Sequence, residues 1–505
     1  MQLSTEVPAL MLSRAATTAG VELPRRQPRI LVLLIAVQVL ARFAWSGAAA
    51  LLSIYLISAV GVGADEANGL FVVYLGAFAL TPLLGGWMGD RLLGMRRAAG
   101  LGAALVAAGC VALAASAGNV AGDPLLVALA GAALLALGAG LFEPTFLTLV
   151  GEIYDETDRG RDAGFTLVFA GARAGVVLGI LVVGGLAATL GFAVGFAAAA
   201  AAGAIGTVLV LFARGRAVSP VGEPPEARTN PWIVVGVPVL GGSALGLGFV
   251  MAERAIASLG IALGGALIFG AVTLAFGLWL SDARLTRAEK ARSAVLFLAA
   301  CFVVVFWSSY DRAMVAIPIL TDRPAPATSP PWTRMMTSGV AVLAASALAL
   351  LWMRLGRRSR EPGTIAKMAL GLLVLGPAFG VLWVAGIRVD RLEPVAPALV
   401  YGGLALFAVA EASLAPAGHS LVTKLAPARW ASTAMGALLL SRAGGARLAL
   451  AMGVLMPRGE GLAARPATAV PTWSSFFLLF LGTAVAAGVT LLILEPFLHR
   501  WTGRD

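Results

Sequence analysis

The chain runs to 505 residues, 59% of them hydrophobic and 12% charged, with a formal charge of +11 and a mean hydropathy of +0.90. A soluble globule of this length needs more polar exterior than that, so the composition excludes one and leaves a polytopic membrane protein. The basic excess is spread through short loops; positive-inside topology accounts for it, and no nucleic-acid partner is implied.

Residues 1–29 are polar or mixed and read as a cytoplasmic N-terminal tail. The apolar run after them is too long for a removable signal peptide and lacks a small-residue cleavage site. Spans that begin near residues 30, 69, 98, 125, 163 and 192 form an N-terminal six-helix bundle over 30–213. The stretch 214–231, with Pro220, Pro224 and Pro225, is a cytoplasmic linker. Spans near 232 and 255 make a two-helix insertion that, with an inside loop, extends to 292. Six more, near 293, 335, 366, 395, 430 and 473, form a C-terminal bundle over 293–497, followed by the tail 498–505. The expected fold is all-α, with about 14 transmembrane helices.

Lys and Arg gather in Arg91/Arg96/Arg97, Arg284/Arg287/Lys290/Arg292 and Arg354/Arg357/Arg358/Arg360, whereas the loop over 61–68 carries only Asp65 and Glu66. That asymmetry puts both termini in the cytoplasm and the protein in the cell (inner) membrane; an even number of spans agrees.

Cys110 and Cys301 fall in apolar runs and read as small core residues, with no disulfide framework. His419 and His499 lack the spacing of a metal-ligand pair, and no catalytic constellation stands out. The expectation is therefore a non-enzyme without metal or cofactor. Between Ile30 and Ile57 the only formal charge is Arg42. A guanidinium in hydrocarbon costs about 3 kcal/mol or more, so Arg42 needs a partner or a task.

The segment GGWMGDRLLGMRR (85–97) reads as a tight inside turn, in which Asp90 caps a helix or pairs with an arginine and Arg91, Arg96 and Arg97 sit at the membrane face. It resembles the signature between the second and third helices of the major facilitator superfamily, which implies a conformational latch. A weaker echo, RLGRRSREPG (354–363), falls at the matching place in the second half. Four further stretches are colinear: ARFAW (41–45), GLFEPTFLTLVGEIYDETDRGRDAGFTLVFAGARAG (140–175), FVVVFWSSYDRAMVAIPILTDR (302–323) and AEASLAPAGHSLVTKLAPARWASTAMG (410–436). Together they make the chain resemble the proton-dependent oligopeptide transporter (POT/PTR) family of that superfamily. The resemblance implies alternating-access symport of di- and tripeptides in a lipid bilayer, by a monomer powered by the proton gradient.

Functional positions of the family are kept only in part. Its first-helix Glu-x-x-Glu-Arg stands here as Gln38-Val-Leu-Ala41-Arg42; the aromatic pair that follows is Trp45-Ser46, and a gating arginine is Ala49. The helix 4 lysine is Glu143, before Pro144; a tyrosine and an asparagine of helix 5 are Phe169 and Arg173; a substrate-contacting tyrosine of helix 2 falls at Ala79. Asp311 and Glu411 keep the acids of helices 7 and 10, the second of which in relatives holds a peptide's amino terminus; Trp307 and Pro416 also match.

These departures rearrange charge. Glu143 is expected to pair with Arg42 or Arg173 and to switch between them as a proton carrier; the alternative is a permanent structural pair of Glu143 with Arg173 between neighbouring helices. Proton-coupling candidates are Glu143, Arg42 and Asp311; substrate-binding candidates are Glu411, Arg173, Trp307, Gln38 and Arg442; Asp90, Arg91, Arg96 and Arg97 form the latch. Arg442 and Arg447 either bind an anion or pair with Glu411 and Asp311, and with Arg42, Arg173 and Arg312 they outnumber the central acids. The excess favours a small peptide or another carboxylate-bearing solute. Alternatives are a diverged carrier with altered or lost proton coupling, and a transport-inactive sensor or scaffold, which the short tails and compact loops disfavour.

Overall fold

In hydrocarbon a chain must satisfy its own backbone hydrogen bonds, and each apolar run does so as a helix. A computed structural model describes residues 27–212, 277–320, 330–457 and 472–502, apart from positions 121, 156, 157, 159, 278, 280 and 281. The N-terminal tail, the linker and the two-helix insertion expected from the sequence lie almost wholly outside the described residues.

Twelve long helices appear among the described residues: α1 (Ile30–Ser58), α2 (Ala64–Met88), α3 (Met95–Ala117), α4 (Pro124–Glu152), α5 (Arg161–Leu190), α6 (Phe192–Phe212), α7 (Arg287–Leu320), α8 (Pro330–Arg357), α9 (Thr364–Asp390), α10 (Pro397–Leu425), α11 (Ala431–Ala451) and α12 (Trp473–Thr502). Eleven are long and apolar enough to cross a membrane. The other, α11, carries Arg442 and Arg447 within its length.

The packing repeats. In the first half α1 packs on α5 and α6, α2 on α4, and α3 on α4 and α6; adding six to each number gives the principal pairings of the second half. The two bundles meet through α2 with α11 and α5 with α8, and through α4 with α10 and α11 and α5 with α10. That is the arrangement of two related six-helix repeats.

Several boundaries differ from the sequence expectation for local reasons. α2 begins at Ala64, so Asp65 and Glu66 lie in its first turn rather than in a loop, where the helix dipole favours acids. GGWMGDRLLGMRR is mostly helix: α2 continues into a π turn over Gly89–Leu93, and the chain reverses at Gly94, whose φ of 78° suits glycine. α7 starts at Arg287 rather than 293 because Thr286 and Glu289 form a capping box. Glu289 accepts from the Thr286 amide at 2.8 Å, and Thr286 Oγ1 accepts from the Glu289 amide at 3.2 Å. α12 runs past 497 to Thr502. Cys110 is buried as expected, but Cys301 is exposed.

Candidate functional site

Near the middle of α1, Arg42 forms an ion pair with Glu143 of α4. Gln38, one turn earlier, donates from Nε2 to the same carboxylate oxygen at 3.4 Å. Pro144, directly after Glu143, lacks the N–H that would bond back along the helix and so loosens α4 at the site. The Arg42 guanidinium also lies 5.0 Å from the centroid of Trp45. Trp45 in turn stacks on Phe78 at 4.6 Å and donates from Nε1 to Tyr74 Oη at 2.6 Å. Sequence reasoning placed the helix 2 contact at Ala79 and missed Tyr74 and Phe78. The signal was the aromatic stripe Phe71, Tyr74, Phe78, spaced for one helix face.

Of the two partners expected for Glu143, Arg42 is the one present. Arg173 of α5 instead forms an ion pair with Glu411 of α10. The two pairs differ mechanically: Arg42–Glu143 lies inside the first bundle, whereas Arg173–Glu411 spans both. Glu411 is buried, its side chain 2% exposed against 17% for Arg173, and it also accepts from Tyr310 Oη at 3.4 Å. A buried carboxylate with both oxygens engaged is neutralised in place.

Trp307 and Tyr310 of α7 pack edge to face at 5.1 Å. On Trp307 lies the guanidinium of Arg442, 3.8 Å from the ring centroid. Gly445, one turn along α11, permits this approach, because a Cβ there would meet Trp307 Cβ at 2.6 Å. Arg442 is exposed and has no carboxylate partner among the described residues; the expected pairing with Glu411 or Asp311 is replaced by this stack. Asp311 is half-buried on α7 and engaged in interactions of its own. Arg312 does not add to a central positive charge: it is buried at 5% exposure and donates to the Ala449 carbonyl at 3.2 Å, tying α7 to the end of α11.

Toward the end where the basic loops gather, two further contacts join the bundles. Asp90, aimed by the π turn, accepts from the amides of Ser432 and Thr433 at 2.9 and 2.7 Å and from Thr433 Oγ1 at 2.7 Å. It is an N-cap for α11 supplied by the other bundle. Arg91 lies 4.5 Å over the Trp430 ring; Arg96 is half-buried and Arg97 exposed.

The second contact escaped sequence reasoning. Asp162, in the first turn of α5, is bound by Lys367 of α9 at 2.6 Å and Lys424 of α10 at 2.5 Å. Thr364 and Ser420 donate to the same carboxylate at 3.0 and 2.5 Å. Lys367 also pairs with Glu361 at 2.5 Å. Burial pushes the Glu361 carboxyl above its ordinary range, with Lys367 opposing that rise. One signal was available: the chain has only three lysines, and two of them, Lys367 and Lys424, sit at the ends of apolar runs.

The superfamily model described as Major Facilitator Superfamily matches residues 34–450. An uncharacterized transporter of Bacillus subtilis is 26% identical over 94% of each chain. A di-/tripeptide transporter of Lactococcus lactis subsp. cremoris is 28% identical over 82% of this chain and 87% of its own. Among solved structures, peptide transporter POT in complex with sulfate matches with a TM-score of 0.66 at 24% identity, covering 95% of this chain and 97% of that one. A POT family transporter in complex with 5-aminolevulinic acid gives 0.67 at 21% identity, covering 93% and 97%.

Proposed function

The chain belongs to the Major Facilitator Superfamily, and from that premise we propose that it is a secondary active transporter of the proton-coupled peptide-transporter kind. It moves small peptides or related carboxylate-bearing solutes across the cell (inner) membrane by alternating access, as a monomer, with the proton gradient as its energy source and no enzymatic step. Both termini face the cytoplasm, so the basic end is the cytoplasmic end.

One observation carries the reading: the two bundles are fastened to each other at one end, by Asp90 capping α11 and by Asp162 holding Lys367 and Lys424. Above these contacts lie partly exposed charges near the middle of the helices. Two rigid halves with a releasable clasp at one end are what alternating access requires. In this reading the bundles are closed toward the cytoplasm.

Glu143 carries the coupling proton in this reading. Rocking alone leaves its pair with Arg42 intact, because both belong to the first bundle. The pair separates when Glu143 is protonated, and the freed charge of Arg42 adds to the field that draws in the anion of the solute, so proton and anion load together. Asp311 is the second acid available for this role.

The experiment is uptake into proteoliposomes of a panel of dipeptides, amino acids and organic anions, with and without an imposed proton gradient. Gradient-dependent accumulation of a panel member is expected, and Glu143→Gln is expected to abolish that dependence while leaving exchange. Unchanged gradient-driven uptake by Glu143→Gln removes Glu143 from the coupling role. Uptake indifferent to the gradient in the unaltered protein makes it a diverged carrier that has lost coupling, the alternative favoured by confinement of Arg42–Glu143 to one bundle.

A further inference from the structure

Of Arg42, Arg173 and Arg442, two have a carboxylate in contact and one has none among the described residues. Arg42 is matched by Glu143 and Arg173 by Glu411, and Asp311 is engaged. Arg442, exposed and without a carboxylate among the described residues, remains. We propose that the solute recognised here bears an anionic group but no free amino group: an amino-blocked acid, such as an N-acylated amino acid or dipeptide, with its anion seated on Arg442. The proposal rests on the transporter reading above and names the substrate class of that site.

Two features make Arg442 a seat rather than a stray charge. Trp307 backs one face of the guanidinium at 3.8 Å, which fixes its plane and leaves an N–H edge to grip a carboxylate with two parallel bonds. Gly445 lets α11 lie close enough on α7 for that stack to form. An anion arriving there meets a cation that no carboxylate among the described residues already holds.

An ammonium group meets the opposite situation. Its acceptor has to be a free carboxylate, and the acid best placed on α10, Glu411, is already held by Arg173 from the facing bundle and by Tyr310 from α7. An amino terminus would have to displace a guanidinium from a buried carboxylate, in the field of Arg442. A blocked amine, which is neutral, has no such cost.

The test compares labelled N-acetyl-dialanine with dialanine in proteoliposomes, each as the sole solute and each as competitor of the other. The unaltered protein is expected to prefer the blocked compound by about ten-fold or more, the scale of one charge-assisted hydrogen bond. Arg173→Asn frees Glu411 and is expected to move the preference toward free dialanine by about the same factor. Arg442→Gln is expected to lower uptake of the blocked compound about ten-fold, with the monodisperse elution and melting temperature of the folded protein retained. Preference for free dialanine in the unaltered protein overturns the proposal and leaves the transporter reading standing. An unchanged preference ratio in folded Arg173→Asn also overturns it. Uptake of neither compound by folded protein, while another panel member is carried, overturns it as well; uptake of nothing at all removes the transporter reading with it.

Discussion

Arg42 and Glu143 illustrate what one charge demands of its surroundings. Each side chain is partly withdrawn from water, at 22% and 12% exposure, and neither would be tolerated there alone. Arg42→Ala leaves Glu143 without its cation and is expected to cost about 3 kcal/mol, seen as a lowered melting temperature in detergent. Adding Glu143→Gln to that variant is expected to restore most of the loss, because the stranded charge goes with it. That Arg42 needs a partner was legible in the sequence, since it stands alone in an apolar run. Which acid it meets was not, because the choice between Arg42 and Arg173 depends on the rotation of α4 against α1 and α5. Glu411 marks the same limit more sharply: the sequence singles it out as an acid in an apolar run, yet its partner Arg173 arrives from the other bundle. No spacing within one helix encodes that meeting.

At the scale of elements, apolar run length located most helices to within a few residues, and hydrogen-bonding chemistry decided the rest. The Thr286–Glu289 capping box starts α7 early, and a single left-handed glycine, Gly94, does the work expected of a longer turn. α11 takes its cap from the other bundle, because its first amides bond to Asp90 in the π turn after α2. Asp90→Ala is expected to weaken the fastened end by roughly 1 kcal/mol, about five-fold in the closed-to-open ratio. Spin–spin distances between labels on α2 and α11 read that shift as a longer population. α2 and α11 also approach through small residues: a Cβ on Gly436 would collide with the Pro82 carbonyl and one on Gly86 with the Ser432 carbonyl. Gly436→Leu is accordingly expected to hold the two helices apart, so that the long-distance population dominates and transport stops.

Across the whole molecule, the repeated pairings make each bundle a unit, and the clasps between them set which face is open. Asp162 is the strongest of these, since it holds two lysines from α9 and α10 in a buried site. Asp162→Asn leaves two ammonium groups there with much of their compensation gone. The expected result is a shift toward the cytoplasm-open form, read as faster labelling of a cysteine placed on the cytoplasmic third of α4. Lys424→Met in the same chain is expected to slow that labelling again, since one stranded charge is removed. The two halves were legible in the sequence through the order of spans and the echo of one basic turn. The clasp was not, because single charges at a helix start, such as Asp162, and at the ends of apolar runs, such as Lys367 and Lys424, are ordinary in a membrane protein.

The borrowed cap of α11 has one more consequence. When the bundles part at this end, the amides of Ser432 and Thr433 lose Asp90 and face water. Their deuterium uptake then keeps time with the transport cycle: protected while the cytoplasmic gate is shut, exchanging while it is open. Two backbone positions therefore report the occupancy of each state in unlabelled, unmodified protein, and a transported solute announces itself by changing their exchange rate.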